Sequence, residues 1–157
     1  MDPFNEIKSH LIDGKLIIKR EDGYVEEESF TFYAPASETE SKLLPSFAPI
    51  ELLSFLKLHN GADLYVSPKY SGGTHLFSVK EILHYSKEWE CPDNFLPIGI
   101  GLDGLRIVCQ CYLEKVENFI WVGEFIDFED DYHNLNMNYK TWLERYVAAQ
   151  GDPFWEK

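Results

Sequence analysis

The chain has 157 residues, of which 45% are apolar and 15% aromatic, so it is long enough for one globular domain with a full core and too short for two. Its 27 acidic residues outnumber 14 basic ones and give a formal net charge of −13, which disfavours binding to nucleic acid or to anionic lipid. No apolar run approaches the roughly 20 residues that cross a membrane, and the first residues lack a secretory signal, so we expect a cytoplasmic protein.

The beginning of the chain predicts a helix followed by a β-hairpin. Asp2-Pro3 favours a helix start, and residues 15–20 and 24–33 favour two strands joined at Glu21-Asp22-Gly23. The apolar face of this first helix consists of Phe4, Ile7, Leu11 and Ile12. Three consecutive glutamates on the second strand alternate between its faces, so we expect none of them to be buried and this part of the hairpin to be exposed or at an edge. They are Glu26, Glu27 and Glu28.

Residues 44–65 are the most informative segment, because they predict a helix with both ends marked. Ser46 is placed as an N-cap, and Pro49 is acceptable within the first turn. The apolar residues cover a wide arc, as expected of a helix pressed into a core. Asn60-Gly61 supplies the stop, and residues 64–66 begin a strand.

The middle of the chain continues with alternating elements. Residues 34–43 predict a polar loop or a short helix, and residues 74–78 predict a strand. Ser78 is a plausible N-cap for an amphipathic helix over residues 79–89, and Glu81 three positions later would complete a capping box.

The last third predicts three strands, an acidic stretch and a closing helix. The strands are at residues 95–100, 105–111 and 119–124, and their short joins favour an antiparallel meander. Residues 125–138 show no clean period, residues 139–149 form a helix that Gly151 ends, and Phe154-Trp155 should fold back onto the body. The order of elements predicts a single α+β domain with a central antiparallel sheet and helices packed against it.

Several motifs share their order and spacing with one known family. They are Leu44-Pro45, Phe55-Leu56 and Asn60-Gly61, then the stretches at residues 76–82, 95–99 and 139–143. Together they resemble the signature of the SUKH superfamily, which contains many bacterial immunity proteins and the Smi/Knr-type regulators of fungal cell-wall synthesis. The resemblance covers roughly residues 28–155. It implies one SUKH-like domain over residues 1–157, with an N-terminal helix and hairpin at 1–33 and the main body at 34–157.

Signatures of enzymes, cofactors and metals are weak. Residues 99–104 have the glycine spacing of a dinucleotide-binding turn, but a strand-like run follows where a helix would be required. Cys109 and Cys111 form one close pair with no second pair for zinc, and with Cys91 they are expected to be reduced, mostly buried thiols. The five histidines show no catalytic or metal-binding spacing. We therefore expect no catalytic activity, cofactor or metal.

The densest charge feature lies at residues 124–133. A solvated acidic loop, a calcium site and a protein-binding surface are all compatible with it, although the spacing of an EF-hand loop is absent. The interleaved aromatic side chains favour the binding surface, since carboxylates beside aromatic rings suit arginine and lysine side chains. The predicted contact residues, with the hairpin glutamates added, are Glu124, Asp127, Phe128, Glu129, Asp130, Asp131, Tyr132, Glu26, Glu27 and Glu28.

Two functions from different classes follow. The resemblance implies an immunity protein, or antitoxin, that neutralises a cognate polymorphic toxin domain, and we expect this toxin to be a nuclease. The net charge supports this independently, because a nuclease needs a basic cleft that an acidic face can occlude. The alternative is a non-catalytic regulatory or scaffolding module that recruits other proteins. The identity of the toxin, the binding surface, the oligomeric state and the role of the cysteines stay open.

Overall fold

The computed structural model describes residues 2–20, 22–67, 72–112, 117–124 and 131–156. Within them, eight strands form one antiparallel sheet in which every strand pairs with the next along the chain. The strands are β1 (Lys15–Lys19), β2 (Val25–Phe32), β3 (Ala62–Val66), β4 (Thr74–Leu76), β5 (Phe95–Ile100), β6 (Arg106–Cys111), β7 (Asn118–Gly123) and β8 (Tyr132–Asn134). The helices are α1 (Asn5–His10), α2 (Glu38–Ser41), α3 (Ile50–Leu58), α4 (Val79–Glu88) and α5 (Tyr139–Ala148). The predicted α+β class, with a central antiparallel sheet, is confirmed.

The helices cover both faces of the sheet. On β4, Thr74 hydrogen-bonds to Tyr146 of α5, whereas its neighbour His75 hydrogen-bonds to Glu81 of α4. Because successive side chains of a strand point to opposite faces, α5 and α4 must lie on opposite sides of the sheet. Helix α3 packs beside α5, with the rings of Phe55 and Tyr139 6.3 Å apart.

Helix α4 begins as predicted, and α3 does not. Ser78 accepts a hydrogen bond from the Glu81 backbone N–H, and the Glu81 carboxylate accepts one from the Ser78 backbone N–H, which completes the capping box. Helix α3 begins at Ile50, with Pro49 in an extended conformation as its N-cap, so the prediction that Ser46 caps it is wrong. The proline excludes the residue before it from helical geometry, which delays the start.

The two ends of the chain are held by apolar side chains. Phe4, which precedes α1, and Ile7 within it are buried, but α1 ends at His10 and leaves Ile12 exposed, so the predicted apolar face runs two residues past the helix. At the other end, a 3₁₀ turn (Phe154–Glu156) packs Trp155 against Trp142, with ring centroids 6.3 Å apart. The predicted folding back of the tail is confirmed. No helix in the described ranges has the length and apolar character needed to cross a lipid bilayer.

Candidate functional site

The two ends of the densest acidic stretch meet at one end of the β7–β8 pair. Glu124 follows β7 directly, Asp131 precedes β8 directly, and Gly123 pairs with Tyr132. Residues 125–130 between them lie outside the described part of the chain, and they include four of the predicted contacts: Asp127, Phe128, Glu129 and Asp130. Antiparallel pairing therefore brings the carboxylates of Glu124 and Asp131 to the same end of the two strands.

A groove of ≈400 Å³ opens beside these two carboxylates. Its walls come from the last two strands, from the segment that follows β8 and from the C-terminal 3₁₀ turn. They include Glu124, Asp131, His133, Leu135, Trp155 and Glu156. Acidic groups therefore stand beside an apolar wall, and Trp155 provides the largest aromatic ring on that wall.

A smaller cavity of ≈60 Å³ adjoins the groove. Its lining includes Asp103 on a 3₁₀ turn (Leu102–Gly104), Thr74 on β4 and Tyr146 on α5. The residues that line both spaces are Leu105, Glu124, Trp155 and Glu156. The two spaces thus share a wall, and we call them together the acidic groove and define it by Asp103, Glu124, Asp131, Trp155 and Glu156.

Within the described part of the chain, the carboxylates of the acidic groove have no cationic partner. None of Asp103, Glu124, Asp131 and Glu156 forms an ion pair with another described residue. Carboxylates elsewhere are paired, as Glu28 is with Arg20. Four acids around one depression, none of them paired with a described cation, produce a local negative potential that favours a cationic group from another molecule.

Two buried hydroxyl groups form the floor of the small cavity. Thr74 Oγ1 and the Tyr146 hydroxyl oxygen lie 2.7 Å apart, and the two residues are 4% and 2% exposed. Burial raises the pKa of Tyr146 to about 12, so its hydroxyl is neutral at physiological pH. Each oxygen keeps lone-pair capacity beyond the shared bond, and the floor can therefore accept a hydrogen bond from an N–H donor.

A sharp turn after α5 delivers Trp155 and Glu156 to this site. Gln150 ends the helix in the left-handed conformation at φ +54°, and Gly151 follows it at φ +85°, where a Cβ would lie 2.5 Å from the Tyr65 ring. Only glycine therefore fits both the left-handed conformation and the close approach. The prediction that Gly151 is the helix stop is off by one residue, because Gln150 takes the left-handed position that ends α5, and the turn directs the following residues back across the sheet.

Tyr132 belongs to the core and cannot serve as a surface contact. The residue is buried on β8, and its ring lies against the backbone of Gly123, where a Cβ would come within 2.6 Å of the ring atoms. The interpretation of Tyr132 as an exposed aromatic contact is therefore wrong. Tyr132 is buried because it lies on β8, directly opposite Gly123 of β7. This three-residue strand was not predicted.

The glutamates of the hairpin separate into three environments. Glu28 is 2% exposed and pairs with Arg20, so the expectation that none of the three is buried is wrong for this residue. Glu27 is half exposed and lies 3.6 Å from Lys15 Nζ, whereas Glu26 lies 3.8 Å from the Arg20 guanidinium. None of the three lines the acidic groove. Burial of Glu28 requires a cation beside it, which Arg20 provides.

A second polar cluster surrounds His75 on the opposite face of the sheet. Its Nδ1 lies 2.6 Å from Asp63 and its Nε2 lies 2.8 Å from Glu81, so both ring nitrogens are engaged. Burial lowers the pKa of His75, but the hydrogen bonds and charges of the two carboxylates outweigh it and raise the pKa above its ordinary value. The imidazole of His75 thus links β4 to β3 and to α4 through two hydrogen bonds, which we call the clasp around His75. Across the described ranges, no group of three His, Cys, Asp or Glu side chains could hold a metal ion.

The three cysteines are free thiols. Cys109 and Cys111 are buried, and Cys91 is partly buried. Burial raises the pKa of Cys91 to about 11, so its reactive thiolate form is scarce at neutral pH. The expectation of reduced, mostly buried thiols agrees with this arrangement.

Two of the four carboxylates of the acidic groove, and its Trp155 wall, were not predicted as contact residues. Asp103 comes from the glycine-rich turn that was examined only as a nucleotide-binding motif, and Glu156 comes from the tail. The aromatic pair Phe154-Trp155 predicted that the tail packs onto the body, and that signal could have suggested that Glu156 joins a surface of the domain.

Comparison with known proteins gives two relatives from Bacillus subtilis (strain 168), both described as uncharacterized. The chain is 26% identical to YnaB over 137 residues, which cover 84% of this chain and 90% of YnaB. It is 33% identical to YobM over 125 residues, which cover 69% of this chain and 61% of YobM. No protein-family model matches the chain. Membership of the SUKH superfamily therefore stays a prediction.

Proposed function

We propose that this protein is an immunity protein that binds a basic toxin domain through the acidic groove and neutralises it without catalysis. The observation that carries the proposal is a set of four carboxylates around a groove with an aromatic wall, none of which pairs with a cation in the described ranges: Asp103, Glu124, Asp131 and Glu156. The resemblance of the sequence to the SUKH superfamily supports the same function. The site of action is the cytoplasm, where the toxin would reach its substrate.

The groove suits the side chain of lysine or arginine. An aliphatic stem can lie along Leu105 and the ring of Trp155, while the cationic head approaches the carboxylates and the hydroxyl floor of the small cavity. A cavity of ≈60 Å³ has room for an ammonium group, which is close to water in size. A protein partner that presents one basic anchor there, surrounded by other cations, would match both the shape and the charge.

A nuclease is the favoured class of toxin. Its substrate cleft must attract a row of phosphates, so it carries a high density of lysine and arginine. A protein of net charge −13 with an acidic groove can compete for that cleft and block the substrate. Electrostatic attraction also accelerates the encounter, which an antitoxin requires because the free toxin is lethal.

The test combines rescue with binding. The protein is co-expressed with the toxin domain encoded beside its gene, survival is scored, and the purified pair is titrated at 50 mM and 300 mM salt. Survival with tight binding that weakens at high salt supports the proposal. Tight binding that is indifferent to salt would contradict the acidic groove as the site, and absence of both rescue and binding would contradict the function.

Two matched triple variants separate the site from the overall charge. Glu124, Asp131 and Glu156 are replaced by lysine in the first, and Glu6, Glu88 and Asp93, which are exposed elsewhere, in the second. Each set makes three reversals and raises the net charge by the same amount. The first variant should lose at least tenfold more affinity than the second. Rapid, weak binding to several cellular proteins with no rescue would favour the alternative function, a regulatory recruitment module.

A further inference from the structure

Three carboxyl groups converge on one guanidinium where the hairpin meets the end of α5. Glu26 and Glu28 lie two positions apart on β2, so their side chains project from the same face of the strand. Both pair with Arg20, Glu26 at 3.8 Å and Glu28 at 2.7 Å, and Asp152 approaches the same guanidinium at 3.3 Å. Among the described residues, no second cation pairs with any of these acids. The cluster therefore holds three acids for one base.

Glu26 and Glu28 form a carboxyl pair that favours one shared proton. Their side chains are only 18% and 3% exposed, and two carboxylates at one poorly solvated cation repel each other strongly. A hydrogen bond joins the two groups, which needs a proton on one of them. Burial, followed by this hydrogen bond, raises the pKa of Glu28 to about 7, although Arg20 opposes the rise. The pair therefore takes up and releases a proton around physiological pH.

The other titratable groups that face Glu28 are two tyrosines. Tyr65 faces it from β3 and Tyr146 faces it from α5, while Arg20 comes from the end of β1. Burial raises the pKa of Tyr65 and raises that of Tyr146 to about 12. Neither tyrosine changes its charge between pH 6 and pH 8.5, so the pH response of this cluster comes from its carboxyl groups.

Asp152 connects this cluster to the wall of the acidic groove. Its neighbours on both sides, Gly151 and Pro153, line the small cavity together with Trp155. The side chain of Asp152 is 39% exposed, more than that of either glutamate in the cluster. Water can therefore solvate this carboxylate when it leaves Arg20, so the contact costs least to break. A displacement of Asp152 must move the backbone that lines the cavity.

We propose that loss of the proton shared by Glu26 and Glu28 weakens the hold of Arg20 on Asp152 and loosens the C-terminal wall of the acidic groove. Proton release adds one negative charge to a cluster with a single cation. Glu28 stays in place because Arg20 donates two hydrogen bonds to it inside the fold, so the exposed Asp152 is displaced first. The turn is then tight near pH 6 and looser near pH 8.5. This inference does not depend on the proposed function, because it concerns the turn itself.

Carbon-13 NMR of the glutamate carboxyl groups in the full chain tests the proton. We expect one group to titrate with a midpoint near 7, and this signal should be absent from Glu28→Gln. Coupling between two sites is reciprocal, so Asp152→Asn should move the midpoint of Glu28 to lower pH, by about 0.5 for a threefold coupling. Glu26→Gln, which removes the adjacent acid, should lower it further. A midpoint of Glu28 below 6, or one that Asp152→Asn leaves unchanged, would overturn the proposal.

Hydrogen exchange tests the turn. The backbone N–H groups of Gly151, Asp152 and Phe154 all donate hydrogen bonds within this segment, and their exchange is measured at pH 6 and pH 8.5 relative to the unstructured rates. We expect opening to be about threefold more frequent at pH 8.5 in the parent protein. Glu28→Gln, which resembles the protonated carboxyl group, should abolish the difference.

Glu27→Gln is the matched control for the exchange experiment. This residue lies on the opposite face of the same strand, is half exposed and pairs with Lys15, so its variant should keep the full pH response of the turn. Exchange that does not depend on pH in the parent protein would overturn the proposal. An equal dependence on pH in the parent protein and in Glu28→Gln would also overturn it, because another group would then control the turn.

Discussion

Arg20 holds Glu28 in a two-point ion pair inside the fold. The Nη2 atom lies 2.8 Å and 2.7 Å from the two carboxylate oxygens, and Arg20 also donates from Nη1 to the Gln150 carbonyl oxygen at 2.6 Å. The guanidinium thus joins the hairpin to the segment that follows α5. Burial raises the pKa of Glu28 to about 7, a hydrogen bond with Glu26 adds to the rise, and Arg20 opposes it.

Removing the positive charge of Arg20 should lower the free energy of unfolding. Arg20→Met leaves the Glu28 carboxyl buried without a positive partner, and we expect a loss of about 3–5 kcal/mol in the free energy of unfolding near pH 8. The loss should shrink at pH 5.5, where protonated Glu28 no longer needs the cation. Urea unfolding at both pH values measures this. Lys15→Met, which breaks the exposed pair with Glu27, is the control and should cost about 0.5 kcal/mol or less. Similar losses for the two variants would contradict a buried ion pair.

The clasp around His75 should make stability depend on pH. Burial lowers the pKa of His75, but Asp63 and Glu81 together raise it above its unfolded value. The folded state therefore binds the imidazole proton more tightly, and the stabilisation is fully present below the unfolded pKa and disappears as pH rises through the folded pKa. His75→Gln should destabilise the protein at pH 6 and have a much smaller effect at pH 9. The difference in unfolding free energy between the two proteins, measured across this range, should fall steadily, and a constant difference would rule out the charged clasp.

Local signals in the sequence predicted most of the elements, and distant contacts decided the rest. The capping box of Ser78 and Glu81 was predicted because it involves residues three apart, and β5 was predicted from its apolar run. Burial of Glu28 could not be predicted, since it depends on a cation and on a segment that follows α5, more than 100 residues later. The β8 strand was missed because three residues are too short to show a period.

The candidate site shows the same division. Glu124 and Asp131 were predicted from the density of acidic residues in one stretch of chain. Asp103 and Glu156 join them only because the sheet order and the turn at Gly151 bring separate segments together. A high density of acidic residues in the sequence identifies a charged segment. Only the fold determines which acids share a groove and which, such as Glu28, pair with a cation elsewhere.

Asn118 joins three elements from a buried position. Its Oδ1 accepts a hydrogen bond from the Tyr139 backbone N–H at 2.7 Å, and its Nδ2 donates to Glu51 at 2.9 Å. Asn118→Leu keeps the size but leaves both groups without this partner, and we expect a loss of about 2–4 kcal/mol in chemical unfolding. Asn118→Asp keeps the acceptor and faces Glu51 with a second acid, so its loss should grow from pH 5 to pH 8. Equal pH profiles for the two variants would show that the Glu51 contact contributes nothing.

Gly151 and Gly23 offer a matched pair for measuring the close approach at the C-terminal turn. Both have a left-handed backbone, with φ of +85° and +83°, but a Cβ at Gly151 would lie 2.5 Å from the Tyr65 ring, whereas a Cβ at Gly23 would have no neighbour within 4 Å. Gly23→Ala should therefore cost only the conformational strain, about 1 kcal/mol. Gly151→Ala should cost that amount and a further 1–3 kcal/mol, roughly, for displacing a buried aromatic ring.

Gly151→Ala should also change the shape of the acidic groove, because the turn at Gly151 positions Trp155 and Glu156. Urea unfolding of both alanine variants gives the two losses, and tryptophan fluorescence of the folded proteins reports on the packing of Trp155 against Trp142. We expect an altered emission spectrum in Gly151→Ala and an unchanged one in Gly23→Ala. If the two variants lose the same stability and keep the same spectrum, the contact with Tyr65 does not direct the tail, and Trp155 must be held by its own packing alone.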